Sequence, residues 1–223
     1  MKQPATIVFR IYALVVVCEL LLIYFQQPEW RWFTKPLLMP LLLLGFYVGS
    51  ANRNNKGFYF IVAALILSWA GDVLLQMKGM FIPGLISFLL AHIFYIVYFI
   101  RSNPVKKGLL QYQPLLVIPV LLYILLFLWL IFPYLNALKI PVTVYGITIG
   151  TMLLASINMR RKTNDKAATF FLIGALLFVV SDSLLAVNLF AYSSMLLGLC
   201  VMLTYASAQY LIVRGALQDV VEK

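Results

Sequence analysis

Ser68-Trp69-Ala70-Gly71-Asp72-Val73-Leu74-Leu75-Gln76 closes an apolar run that begins near Phe58. Asp72 therefore sits inside a segment long and greasy enough to cross a membrane. A carboxylate there is costly to desolvate, so it marks a functional site by default. Ser68, Asp72 and Gln76 are spaced four apart and share one helix face, a polar stripe on an otherwise lipid-like helix. The pattern returns 110 residues later as Val179-Val180-Ser181-Asp182-Ser183-Leu184-Leu185. In both stretches two leucines follow the aspartate after one intervening residue.

Composition gives the setting for these acids. The chain has 223 residues, 64% hydrophobic and 11% charged, with a mean hydropathy of +0.98. Soluble domains are about 45–50% apolar and about 25% charged. The chain is therefore an integral membrane protein, read as one transmembrane domain over 1–223. Its net charge of +10 suits loops and anionic lipid headgroups. No basic segment is interleaved with aromatics in a polar context, so nucleic acid is not an expected partner. Cys18 and Cys200 both fall in apolar runs and read as small hydrophobes, not as a disulfide framework.

Crossing the hydrocarbon core takes about 20 residues. Eight runs qualify, at approximately 6–25, 35–51, 58–77, 80–100, 113–135, 140–158, 167–187 and 191–213. The first follows Lys2 and is shortened by Arg10, but has no small-residue cleavage site after it, so it reads as an uncleaved span. Pro36 and Pro40 crowd the start of the second, where a first-turn proline is tolerated. Connectors such as Asn52-Arg53-Asn54-Asn55-Lys56-Gly57 carry helix stops. Gly146 and Gly150 give one small-xxx-small spacing in span six. The expected fold is all-α, a bundle of eight transmembrane helices.

Loop cations set the orientation. With the N-terminus inside, the inner segments hold 13 of the 17 cations, from Lys2 to Lys223, and the outer ones hold Arg31, Lys35, Lys78 and Lys139. This places both termini in the cytoplasm. Spans three and seven then run the same way, with Asp72 and Asp182 each about 7–9 Å below the outer boundary. Acids at one depth in matching helices can face one cavity, and the recurrence suits two four-helix parallel repeats. Chance similarity between leucine-rich spans is the alternative.

Other polar residues lie inside spans: Glu19, His92, Tyr95, Ser181, Asn188, Tyr205 and Gln209. Tyr95 is one turn from His92, and Gln209 one turn from Tyr205. Their plain structural role would be hydrogen bonding across the bundle, worth about 0.6–2 kcal/mol each. For the two aspartates it would be a buried salt bridge, with Lys35 at the outer mouth of span two as an available cation. One histidine and two distant cysteines cannot assemble the usual zinc sets, and a magnesium on the two aspartates would lack further oxygen ligands. There is no G-x-S-x-G elbow, P-loop or dinucleotide fingerprint. The remaining set suits acid–base chemistry on a lipid, or a proton-coupled carrier or flippase cycling the same acids.

Lys35-Pro36, Gly71-Asp72-Val73-Leu74-Leu75, Ala91-His92-Ile93-Phe94-Tyr95, Ser181-Asp182-Ser183-Leu184-Leu185-Ala186 and Tyr205-Ala206-Ser207-Ala208-Gln209 together resemble the YhhN family, which includes the animal transmembrane lysoplasmalogenases. The resemblance implies hydrolysis of the vinyl-ether bond of a lysoplasmalogen, giving a fatty aldehyde and a glycerophospho-headgroup. Vinyl ethers hydrolyse through protonation of the β-carbon and an oxocarbenium ion, a task for one protonated carboxyl and one carboxylate. No metal or organic cofactor is required. On this reading Asp72 and Asp182 are the acid and base, unassigned between them. Lys35 binds the phosphate, and His92, Tyr95, Ser181, Tyr205 and Gln209 line the pocket or orient water. Glu19 has no assigned role.

Overall fold

The computed structural model describes residues 3–51, 53 and 55–221. Lys2 and Lys223, counted above among the inner cations, and Asn52 and Asn54 of the second connector lie outside the described residues. The described chain is all helical. Its elements are α1 (Gln3–Tyr24), α2 (Pro28–Gly49), α3 (Lys56–Gln76), α4 (Phe81–Arg101), α5 (Val117–Ile131), α6 (Lys139–Asn158), α7 (Asp165–Ala186) and α8 (Met195–Val221). Short 3-10 turns flank α5, and a π-helical turn, Val187–Ala191, ends α7. All eight helical segments are long and apolar enough to cross a membrane.

Polar connectors start the helices as their residue types dictate. Asn55 accepts from the Gly57 amide at 2.9 Å, and Asn164 from the Ala167 amide at 2.7 Å. Each fills one of the orphan donors of a helix N-terminus.

The second span differs from expectation. It starts at Pro28, not near 35, so Pro36 and Pro40 lie inside the helix. Proline at the first position and Glu29 in the first turn are favourable start signals. Pro40 has no N–H to give the Pro36 carbonyl. The Trp69 indole of α3 takes that place, donating to Pro36 O at 3.0 Å. A neighbouring helix thus satisfies the group that proline frees, as the membrane demands. The last helix also runs to Val221, beyond the expected end near 213.

α1 packs on α2, α3 on α4 and α7 on α8, while α4 against α6 and α8 against α1 and α2 join these hairpins. The core is aromatic, with Phe46, Tyr95, Tyr98, Phe99, Phe171 and Phe178 almost fully buried. Large aliphatics such as Leu14, Leu122 and Ile140 face outward, as a lipid solvent permits. Small residues bring α7 and α8 together. A Cβ on Gly174 would stand 3.1 Å from the Ala208 carbonyl and 2.8 Å from Ile212 Cγ1, so only glycine allows this approach. Gly146 and Gly150 face Leu128 and Ile124 of α5; their spacing serves packing within the chain. Cys18 and Cys200 are free thiols.

The C-terminal end of α8 is anchored by one acid. Asp219, 3% exposed, accepts from Tyr98 at 2.9 Å, from Thr163 at 2.6 Å and from Ser102. These bonds tie α8 to the end of α4 and to the α6–α7 connector. They explain why the helix continues through Arg214 and Gln218 after the apolar run ends.

Candidate active site

The N-terminal half of α8 faces a cavity of about 410 Å³ walled by α2, α3, α4, α6 and α7. Both intramembrane aspartates line it, Asp72 from α3 and Asp182 from α7. Its volume falls in the usual range for small-molecule sites, about 300–1,000 Å³. Leu85, Phe88, Val142, Leu185, Leu189 and Phe190 supply much of the apolar wall.

The two acids have different partners. Asp72 is 2% exposed. Its Oδ2 accepts from Tyr205 Oη at 2.7 Å, and its Oδ1 stands 3.3 Å from Lys35 Nζ. Asp182 accepts from Tyr145 Oη of α6 at 2.5 Å. Among the described residues no cation pairs with Asp182. Asp72 is thus held as one half of an ion pair, and Asp182 by a neutral phenol.

Lys35, Asp72, Ser181, Asp182 and Tyr205 come together as cavity residues. Ser181 turns its hydroxyl to the Val201 carbonyl at 3.1 Å, joining α7 to α8. Lys35 does not stand free at the mouth, because its ammonium reaches down to Asp72.

His92, Tyr95 and Gln209 are not among the lining residues. They form the layer behind the cavity. Tyr95 donates to Gln209 Oε1 at 2.6 Å, and Gln209 Nε2 donates to Ser68 at 3.0 Å. The chain is fully buried and joins α4, α8 and α3. His92 is also fully buried, its ring 5.3 Å from that of Tyr145 and 4.6 Å from that of Phe178. The Tyr95–Gln209–Ser68 bonds tie α3, which carries Asp72, to α4 and α8.

Three residues absent from the sequence expectation complete the site. Tyr145 has no local signal, being one tyrosine in an apolar span. Arg31 and Trp32 also line the cavity. Arg31 lies one turn before Lys35 on the same face of α2, a spacing that becomes readable once α2 begins at Pro28. Glu19 now has a place: fully buried on α1, it accepts from Arg31 Nε at 2.8 Å and from Thr34. Gln76 donates to the Arg31 carbonyl at 3.1 Å. Among the described residues, no group of three or more His, Cys, Asp or Glu side chains could hold a metal ion.

Comparison with known proteins agrees with the motifs. The chain is 29% identical to lysoplasmalogenase TMEM86B of Mus musculus, over 92% of its own length and 85% of that protein's. It is 33% identical to lysoplasmalogenase TMEM86B of Sus scrofa, over 84% and 76% respectively. A lysoplasmalogenase of Mycobacterium bovis is 30% identical over 70% of this chain and 59% of its own. No solved structure matches. A family model described as the YhhN family matches residues 30–216, taking in both aspartates, the five complete helices from α3 to α7, and most of α2 and α8. The chain belongs to the YhhN family.

Proposed function

We propose that this protein is a multi-pass membrane hydrolase that cleaves the vinyl-ether bond of a lysoplasmalogen by acid–base catalysis between Asp72 and Asp182. The observation that carries the reading is that both acids line one largely apolar cavity yet have unlike partners. The lysoplasmalogenase names of the relatives support the same substrate class.

The unlike partners divide the labour. Lys35 and Tyr205 hold Asp72 as a carboxylate. Asp182, with no cation partner among the described residues, is the proton donor. It protonates the β-carbon of the vinyl ether, and the α-carbon becomes an oxocarbenium ion. The Asp72 carboxylate stabilises that cation and orients water, in the manner of a glycosidase carboxylate pair. Water adds to the α-carbon and returns a proton to Asp182, restoring the acid. The hemiacetal then expels the glycerol oxygen, which takes up the hydroxyl proton, and the aldehyde leaves. No metal or organic cofactor enters these steps. The alkenyl chain lies along the Val142, Leu185 and Phe190 wall. The cation bias of the connectors supports cytoplasmic termini and a cavity mouth at the outer face. That α3–α4 and α7–α8 are both hairpins carrying an acid supports a parallel repeat.

Turnover in D2O tests the protonation step. Purified protein should release aldehyde from an alkenyl lysolipid with one solvent deuterium on the carbon beside the carbonyl, trapped at once by borohydride. Saturated alkyl lysolipids should be inert. Aldehyde without deuterium, or no aldehyde at all, contradicts the mechanism.

A further inference from the structure

Arg31 is placed as a ligand-binding group more than as a structural one. Its Nε is committed to Glu19 Oε1 at 2.8 Å, and its backbone carbonyl to Gln76. Among the described residues nothing takes its two terminal amino groups, and the side chain borders the cavity. Glu19 is 0% exposed. A buried ion pair adds little net stability, since desolvation offsets the attraction. What a carboxylate clamped on Nε does achieve is a guanidinium of fixed plane, with its remaining donors free. That is the geometry for a bidentate anion. Among the described residues Arg31 and Lys35 are the two cations lining the cavity, and the Lys35 ammonium is already on Asp72.

We infer that Arg31, oriented by Glu19, binds the phosphodiester of a single-chain lysophospholipid whose glycerol hangs toward Asp72 and Asp182. This rests on the lipid-hydrolase reading for the direction of the ligand, though not on the reaction. Four residues, about 6 Å of helix rise, separate Arg31 from Lys35 along α2. One glycerol unit, a similar reach, separates the phosphate of such a lipid from its sn-1 oxygen. A phosphate on Arg31 thus brings the sn-1 bond level with Asp72. Arg31 is the binding residue and Glu19 a positioning residue, and Lys35 leaves the headgroup role that the sequence suggested for it.

Equilibrium binding of a non-hydrolysable 1-O-alkyl lysoglycerophosphocholine to the full chain in detergent tests this without turnover. The comparison ligand is 1-O-alkylglycerol, which has the same chain and no phosphate. Arg31→Gln should weaken phospholipid binding about 10- to 100-fold and leave alkylglycerol binding unchanged. Glu19→Gln should weaken the first about tenfold and spare the second. Arg31→Lys, which keeps the charge and the fold if the glutamine variant is lost, should fall between wild type and Arg31→Gln. Equal loss for both ligands, or loss for neither, overturns the assignment. Inorganic phosphate competing as strongly as the lysolipid would make this a free-phosphate site and also overturn it. If the wild type releases no aldehyde but the phosphate-dependent binding is lost in Arg31→Gln, the reaction fails and this inference stands. If aldehyde is released with an unchanged KM in Arg31→Gln, the reverse holds.

Discussion

Lys35→Met isolates the electrostatic balance of the site. In the wild type the ammonium stands 3.3 Å from a carboxylate that is 2% exposed. At an effective dielectric of about 20 this attraction is about 5 kcal/mol before desolvation is charged against it. Methionine keeps the length and loses the charge. Asp72 is then left with the Tyr205 phenol alone. Breaking one side of a buried pair costs about 3–5 kcal/mol, because the other charge stays buried. We expect Lys35→Met to lower stability by about 3 kcal/mol, toward the low end because the Lys35 side chain is 15% exposed and the phenol still donates. Asp72→Asn should cost less, about 1–2 kcal/mol, since the long lysine stem can carry its ammonium toward water. The double variant should recover most of the Lys35→Met loss, a coupling of about 2 kcal/mol or more. Reversible unfolding by SDS in mixed micelles measures all three. Additive losses, each under about 1 kcal/mol, would show that the pair is screened and would remove the reason for calling Asp72 the held carboxylate.

Three further outcomes follow from single contacts. Tyr145→Phe removes the phenol that orients Asp182 and should lower kcat about tenfold, with KM little changed, since one such bond is worth about 1.5 kcal/mol; unchanged turnover would take Tyr145 out of the site. Gly71→Ala places a methyl 2.6 Å from Phe88 Cδ2; pushing that ring into the cavity should cost about 1–3 kcal/mol and raise KM for long-chain substrate, and a wild-type KM would refute the wedge. Asp219→Ala strips an acceptor from Tyr98, Ser102 and Thr163 and should destabilise by about 2–4 kcal/mol, while the folded fraction keeps its turnover about 21 Å away along α8.

That both acids line one cavity was legible because a carboxylate in an apolar run is costly to leave facing lipid, and the eight spans because about 20 apolar residues have few other uses. What the chain hides is reach. The helix of Pro28–Gly49 reads as starting late, since prolines 36 and 40 look like breakers; the compensating donor, Trp69, sits on another helix. Helix-face reasoning turned His92, Tyr95 and Gln209 inward correctly but could not rank them by depth, and they fall behind the cavity. Lys35 has a long flexible stem, so its partner is decided by packing and not by its place at a helix mouth. Tyr145 lies in an apolar span with no intramembrane acid of its own, and only its hydrogen bond across to Asp182 of α7 reveals it. Glu19 gains meaning only when the start of α2 brings Arg31 and Thr34 to it.

Aldehyde release from an alkenyl lysolipid by Asp72→Asn and Asp182→Asn, each beside the wild type, is the most direct measurement of the central claim. Asparagine keeps the shape of the side chain and cannot donate or accept the catalytic proton. The account predicts loss of turnover in both variants, about 10²-fold or more, with folded protein that still binds the alkyl lysolipid. Wild-type turnover in both would contradict it. Lipid uptake by proteoliposomes with no aldehyde from any form would move the same two acids to a carrier.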